Sequence, residues 1–282
     1  DLHSFPTRRS SDLVGALYIP LTARVYMSRR FPEYFYDSKA LELESALPDD
    51  SIEKSSSEYS MIASVARYYN MDEMTRTFLE AHHVCNIVNL GCGLETAYYR
   101  IGSKTAIFYE VDLPQVIEHR RRILGTGENE RLIGGDIFDY KWAESIEDRT
   151  LPTLLTVSGV FQYFHEEEVL SFIEKIGKLF TDAELIFDAT NSTGIKYAQR
   201  YVKKTGNASA MMYFYVDDCE KFAEKAGAVL IAWRPFYTEA RKMIGKNTGL
   251  YTRISMKVCD DLGRAKLLHL RLPRYPAENA SA

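Results

Sequence analysis

The chain has 282 residues, 46% of them hydrophobic and 12% aromatic, with a formal charge of −4 and a pI near 5.9. That composition supplies a sizeable core and excludes global disorder, with length for one large α/β domain or two small ones. It offers no basic stripe for nucleic acid, and its longest apolar runs are too short to cross a bilayer, so neither partner is expected.

Residues 1–13, "DLHSFPTRRSSDL", have no periodicity and resemble a translated adapter fragment; they are expected to be a non-native or disordered leader. Arg8-Arg9 before "LVGALYIPL" imitates a signal peptide, but Pro20 breaks the run and no small-residue cleavage site follows. Residues 14–83 read as a helical N-terminal cap or lid. Ile62, Val65 and Tyr69, then Met71, Met74 and Phe78, recur at helical spacing within Met61–Leu79, predicting one long helix or two in tandem. Ser55-Ser56-Ser57 reads as the loop before it.

His82-His83-x-Cys85 has no second ligand pair at a useful spacing, so no metal is expected. Cys85, Cys92, Cys219 and Cys259 form no CxxC and no disulfide framework, which suits a reducing compartment and a cytoplasmic location.

From Asn86 short apolar runs alternate with helical ones: "NIVNL", "TAIFYEV", "RLIGG", "TLLTVSGVF", "ELIFDAT", "VLIAW" and "AKLLHLRL". The alternation predicts a mostly parallel sheet covered on both faces, in one core domain over 84–282. Pro114 sits at a favoured first-turn position. In the helix it opens, His119-Arg120-Arg121-Arg122 reads as a solvated face. Glu166-Glu167-Glu168 precede the stripe Val169, Phe172, Ile173, Ile176 and Phe180, with acids at the positive end of the helix dipole. Val216, Cys219, Ala223 and Ala226 form another stripe, ended by Gly227. The last run alternates apolar and polar residues, as a strand nearer the edge would.

Candidate binding residues follow the strands, since open α/β sheets bind ligands beyond their carboxyl ends. Gly91-Cys92-Gly93 follows the first strand and permits a tight turn with close backbone approach. A dinucleotide fingerprint would place a third glycine where Thr96 stands, which counts against a nicotinamide dehydrogenase. Asp112 ends the next strand, 21 residues after Gly91, where a carboxylate can hold a ribose diol; it could also cap the following helix. Asp136 follows the third strand, a place that commonly bonds an adenine amino group, or serves turn chemistry after Gly134-Gly135.

"IVNLGCGLETAYYRI", "YEVDLPQVIEHRRRIL" and "GVFQYFHEEEV" resemble the leucine carboxyl methyltransferase family over roughly residues 17–235. The resemblance implies a Rossmann-like class I methyltransferase fold with a seven-stranded, mostly parallel sheet, and S-adenosylmethionine as cofactor. It implies that Gly91 and Gly93 approach the cofactor's methionine part, Asp112 the ribose, and Asp136 and Ile137 the adenine. Arg67, in "ASVARYYNMDEMTRTFL", matches an arginine that binds the cofactor's carboxylate. Two departures stand out. Glu95 replaces a common Asp, and Ser158 or Gly159 stands where the family often has Glu beneath the cofactor.

The family includes enzymes that methylate a phosphatase C-terminal carboxylate and bacterial polyketide O-methyltransferases. A small-molecule acceptor is expected, with a protein carboxylate, or a silent cofactor-binding protein, as alternatives. A carboxylate acceptor is ionised at pH 7 and needs no base; a phenol, of pKa near 10, would use one. Tyr163 and His165 are the candidates for that role. Tyr34 and Tyr36 with the helical N-terminus, and Tyr197, Tyr201, Met211, Met212, Tyr213 and Tyr215 beyond the fifth strand, could form a lid over the acceptor pocket or simply fill core.

Overall fold

The computed structural model describes residues 10–204 and 211–275, without the side chains of residues 10–16, Ala198 and residues 200–204. Its centre is a seven-stranded sheet in the order β3-β2-β1-β4-β5-β7-β6. The strands are β1 (Asn86–Leu90), β2 (Ile107–Asp112), β3 (Glu130–Gly134), β4 (Thr153–Val157), β5 (Ala183–Thr190), β6 (Val229–Pro235) and β7 (Ala265–Arg271). β1 to β5 pair in parallel, and β7 runs antiparallel between β5 and β6. All seven coincide with the apolar runs. The alternating β7 lies one strand in from the edge, and the edge itself is β6.

Strand side chains alternate between two cores, because successive Cβ atoms point to opposite faces. Val88, Leu90, Val111, Leu155, Val157, Phe187 and Leu268 pack under α7 (Glu166–Leu179) and α9 (Cys219–Lys225). Ile87, Phe108, Leu154, Ile186 and Leu267 pack under α4 (Glu58–Ala81), α10 (Thr238–Met243) and α11 (Leu250–Asp261). Met61–Leu79 is thus part of one unbroken helix, opened by Ser57, whose side chain accepts from Ser60 N. It does more than cap: it is a covering layer of the sheet.

The remaining helices are α1 (Ser10–Arg30), α2 (Ser38–Glu42), α3 (Ser51–Ser55), α5 (Ala97–Ile101), α6 (Pro114–Leu124) and α8 (Ser192–Lys204). Of the leader, residues 1–9 lie outside the described residues, and residues 10–13 belong to α1. α1 packs Tyr18, Leu21 and Val25 against Leu94 and Leu124, beside the loop that follows β1. Among the described residues no helix is long and apolar enough to cross a membrane.

Candidate functional site

The loop from Gly91 to Thr96 leaves β1 at the carboxyl edge of the sheet. Gly91 and Gly93 hold φ of +70° and +50°, a region L side chains avoid. A Cβ on Gly91 would also lie 2.6 Å from Val160 Cγ2, so the backbone there can only be glycine. The amides of Gly91 and Cys92 donate to Val111 O at 2.8 and 3.2 Å, tying the loop to the end of β2.

Asp112 is the next residue of β2. Its Oδ2 accepts from Gly93 N at 2.8 Å and its Oδ1 from Leu113 N at 2.7 Å. Burial raises its pKa, and those two amides oppose the rise. Each carboxylate oxygen can accept a second donor, so Asp112 is a fixed acceptor with capacity left for a diol. Asp136 Oδ1 accepts from Phe138 N at 2.9 Å, the turn chemistry its position allows. Ile137 buries its side chain in the core, and its carbonyl accepts from Trp142 Nε1 at 3.0 Å.

Arg67 reaches the same edge from α4. Its Nε lies 3.3 Å from Asp188 Oδ2 at the end of β5. Burial works against its charge, and Asp188 restores it. Asp188 Oδ1 in turn accepts from Gly159 N at 2.6 Å. Ser158 Oγ is buried there without a hydrogen-bond partner among the described residues.

A buried ionic network holds the loop from the cap side. Asp37, between α1 and α2, is fully buried and faces Arg24 Nε at 3.2 Å and Arg100 Nη1 at 3.1 Å. Thr96 Oγ1 donates to Asp37 Oδ2 at 2.6 Å. Arg100 also forks onto Asp72 at 2.7 and 2.9 Å and meets Glu95 at 2.8 Å. Arg24 Nη2 donates to Leu94 O at 2.6 Å. Burial opposes the Asp37 charge, but the two guanidinium groups and Thr96 hold its carboxyl below the usual range.

From beneath, Arg120 donates to Glu95 O at 2.6 Å and Gly93 O at 3.2 Å, and pairs with Glu130 at 2.7 Å. This corrects the solvated-face reading of His119-Arg120-Arg121-Arg122: Arg121 and Arg122 are exposed, but Arg120 is fully buried. Nearby, burial pushes the Glu110 carboxyl up to about 7, against the pull of Arg120.

The family model described as "Leucine carboxyl methyltransferase" matches residues 20–177, more than half of the chain and every residue of this arrangement except Asp188. The chain belongs to the leucine carboxyl methyltransferase family. Members of this family transfer a methyl group from S-adenosylmethionine, and the residues at this edge fit that group: positive-φ glycines for close approach, a fixed carboxylate at the tip of β2, and a guanidinium across from it.

Two relatives agree with the membership. The tetracenomycin polyketide synthesis O-methyltransferase TcmP of Streptomyces glaucescens is 25% identical over 134 residues, 47% of this chain and 49% of that protein. The match thus spans about half the length of that relative. The S-adenosyl-L-methionine-dependent methyltransferase dpfgK of Gibberella zeae is 26% identical over 71% of each chain. Among solved structures, a DUF574 family protein from Streptomyces avermitilis shares the fold, with a TM-score of 0.56 at 14% identity over 89% of this chain and 97% of that one.

The family's loop has features that sequence reasoning missed. Thr96, where a dinucleotide fingerprint has glycine, is a buried hydroxyl bound to the cap. Asp37, Arg24 and Asp72 join the site from 59, 70 and 28 residues away along the chain, measured from their partners Thr96, Leu94 and Arg100. A buried-acid pattern in the cap could have flagged Asp37 and Asp72, but nothing local pairs them with the loop.

Tyr163 ends a 3₁₀ turn after β4 and lies near enough to Arg67 to influence its charge. His165 is the N-cap residue of α7, its backbone N donating to Glu168 Oε2 at 2.8 Å, and its ring stacks on Tyr213 at 4.2 Å. Tyr34 does not line a lid: it is buried and stacked on Tyr69 at 4.7 Å, whereas Tyr36 is exposed. Tyr197, Tyr213 and Tyr215 are exposed, Met211 and Met212 half-buried, and the side chain of Tyr201 lies outside the described residues.

Proposed function

We propose that this protein is an S-adenosylmethionine-dependent O-methyltransferase that methylates a carboxylate or hydroxyl of a small, polyketide-like molecule in the cytoplasm. The observation that carries the cofactor is Asp112, fixed by the amides of Gly93 and Leu113 at the tip of β2. Family membership supports methyl transfer, and the polyketide relative supports the acceptor class. The exposed Tyr197, Tyr213 and Tyr215 beyond β5 suit a flat, partly apolar acceptor.

The cofactor supplies an activated methyl group. The chain's own task is to bind both partners, align them and exclude water. Arg67 meets the methionine carboxylate, Asp112 the ribose, and Asp136 with the backbone of Ile137 the adenine. The unpartnered Ser158 Oγ offers a hydrogen bond where the family often has a carboxylate.

The test is calorimetric titration of ligand-stripped protein with S-adenosylmethionine, S-adenosylhomocysteine and NAD, followed by an acceptor screen with labelled donor. Both adenosyl compounds should bind and NAD should not. Asp112→Asn should weaken S-adenosylmethionine at least about tenfold without unfolding the protein, because a charged acceptor is lost from a buried diol contact. An unchanged affinity in that variant would remove the assignment.

A further inference from the structure

Arg67 is built unlike the other arginines around the glycine loop. Arg24, Arg100 and Arg120 place terminal guanidinium nitrogens on protein oxygens. Among the described residues Arg67 meets a single anion, Asp188, in an ion pair at Nε that is not a hydrogen bond, and its guanidinium donates to no protein oxygen. Its side chain is 26% exposed although its Nε is buried. A guanidinium has five donors in one plane, and two edges of that plane can each take a carboxylate.

The support beneath this fork is unusually defined. The guanidinium lies over Gly159, where a Cβ would come 2.5 Å from Nη1 and where φ is +68°. Asp188 grips both parts, accepting from Gly159 N through Oδ1 and facing Arg67 through Oδ2. Val157 of β4 pairs with Phe187 of β5, so Asp188 stands one rung further, beside Ser158.

We infer that Asp188 is a positioning residue for cofactor binding: it engages Nε and leaves the outer edge of the Arg67 fork turned to the carboxylate of the cofactor's methionine end. This rests on the methyltransferase reading above and adds Asp188 and Gly159 to it. The Arg67–Asp188 pair is neutral as a whole. It therefore favours a ligand end that carries an ammonium and a carboxylate together, over one bearing either net charge.

The experiment is titration of the stripped full-length protein with S-adenosylhomocysteine and with 5′-methylthioadenosine, which keeps the adenosine and thioether but lacks the amino-acid end. Asp188→Asn keeps the side-chain size and removes the charge. It should weaken S-adenosylhomocysteine about tenfold while leaving 5′-methylthioadenosine within about twofold. Gly159→Ala, which leaves Asp188 in place and pushes Arg67 aside, should give the same selective loss. In an Arg67→Met background, Asp188→Asn should add nothing, because the two act through one contact.

If Arg67→Met erases the preference for S-adenosylhomocysteine and Asp188→Asn retains or increases it, the positioning role is overturned and the cofactor reading stands. Equal weakening of both ligands by Asp188→Asn would make Asp188 a structural element and also overturn the inference. A preference untouched by Arg67→Met would remove Arg67 from the carboxylate, and the inference with it.

Discussion

Two polar centres flank the glycine loop, and they are built on opposite plans. On the cap side, Arg24, Arg100, Asp37, Asp72 and Glu95 share charges and hydrogen bonds in a closed, buried set. At the ends of β4 and β5, Arg67 and Asp188 form one ion pair, and among the described residues the guanidinium donates to no protein oxygen. The first places terminal nitrogens of both its guanidinium groups on protein oxygens, with only Arg24 Nε held by an ion pair alone, and can offer a ligand little. The second has kept donors in reserve. The contrast teaches that where the terminal guanidinium nitrogens go, more than burial of charge, separates groups that hold a site from groups that serve it.

The comparison breaks most sharply at Arg100. Arg100→Met leaves Asp37, Asp72 and Glu95 as buried carboxylates short of a partner, and should cost about 3–5 kcal/mol of stability in urea unfolding. Arg67→Met leaves only Asp188 short of a partner, and Asp188 keeps the Gly159 amide, so it should cost clearly less stability while impairing ligand binding. Equal destabilisation by both would erase the distinction.

A smaller effect tests the acid beneath the loop. Burial raises the folded pKa of Glu110 to about 7 from an ordinary value of 4.5. The native state then holds this proton more tightly than the unfolded chain. Its contribution is fully present below about pH 4.5 and is lost as pH rises to about 7. Glu110→Gln cannot titrate, so it should lack about 1–3 kcal/mol of the decline that the wild type shows across that window. Parallel stability–pH curves for the two proteins would contradict the raised pKa.

The smallest change sharpens the role of Thr96. Thr96→Val removes one buried hydroxyl donor from Asp37 and should cost about 1–2 kcal/mol. The ratio of affinities for S-adenosylhomocysteine and 5′-methylthioadenosine should stay as it was, since the cap network does not touch the amino-acid end. A shifted ratio would mean that the two centres are coupled.

Much of the fold was legible because it is written in local patterns. Each strand is a short apolar run, and Pro114 marks the start of α6. Gly91, Gly93 and Asp112 were legible as well, since their spacing follows from the length of one βα unit. What was hidden depends on contacts distant in sequence. Arg120 looks like its neighbours Arg121 and Arg122, and only the packing of α6 on β2 and β3 turns it inward toward Glu130. Tyr34 looked available for a lid because no sequence period places it against Tyr69. Asp188 passed unremarked inside "ELIFDAT", because its meaning depends on the rung it shares with Ser158 on another strand.

The covering role of α4 has a consequence for how the chain is made. Synthesis delivers α4 well before the strands beneath it: its Asn70 bonds Phe236 O, 166 residues later, and its apolar stripe packs with Leu267 of β7. At about 5–20 residues per second, α4 waits roughly 10–40 s for the last of these partners to leave the ribosome. During that interval Met61, Ile62, Val65, Met71, Met74 and Phe78 have no sheet to cover. The nascent chain then presents an uncovered greasy helix, which is the kind of surface that a ribosome-associated chaperone binds.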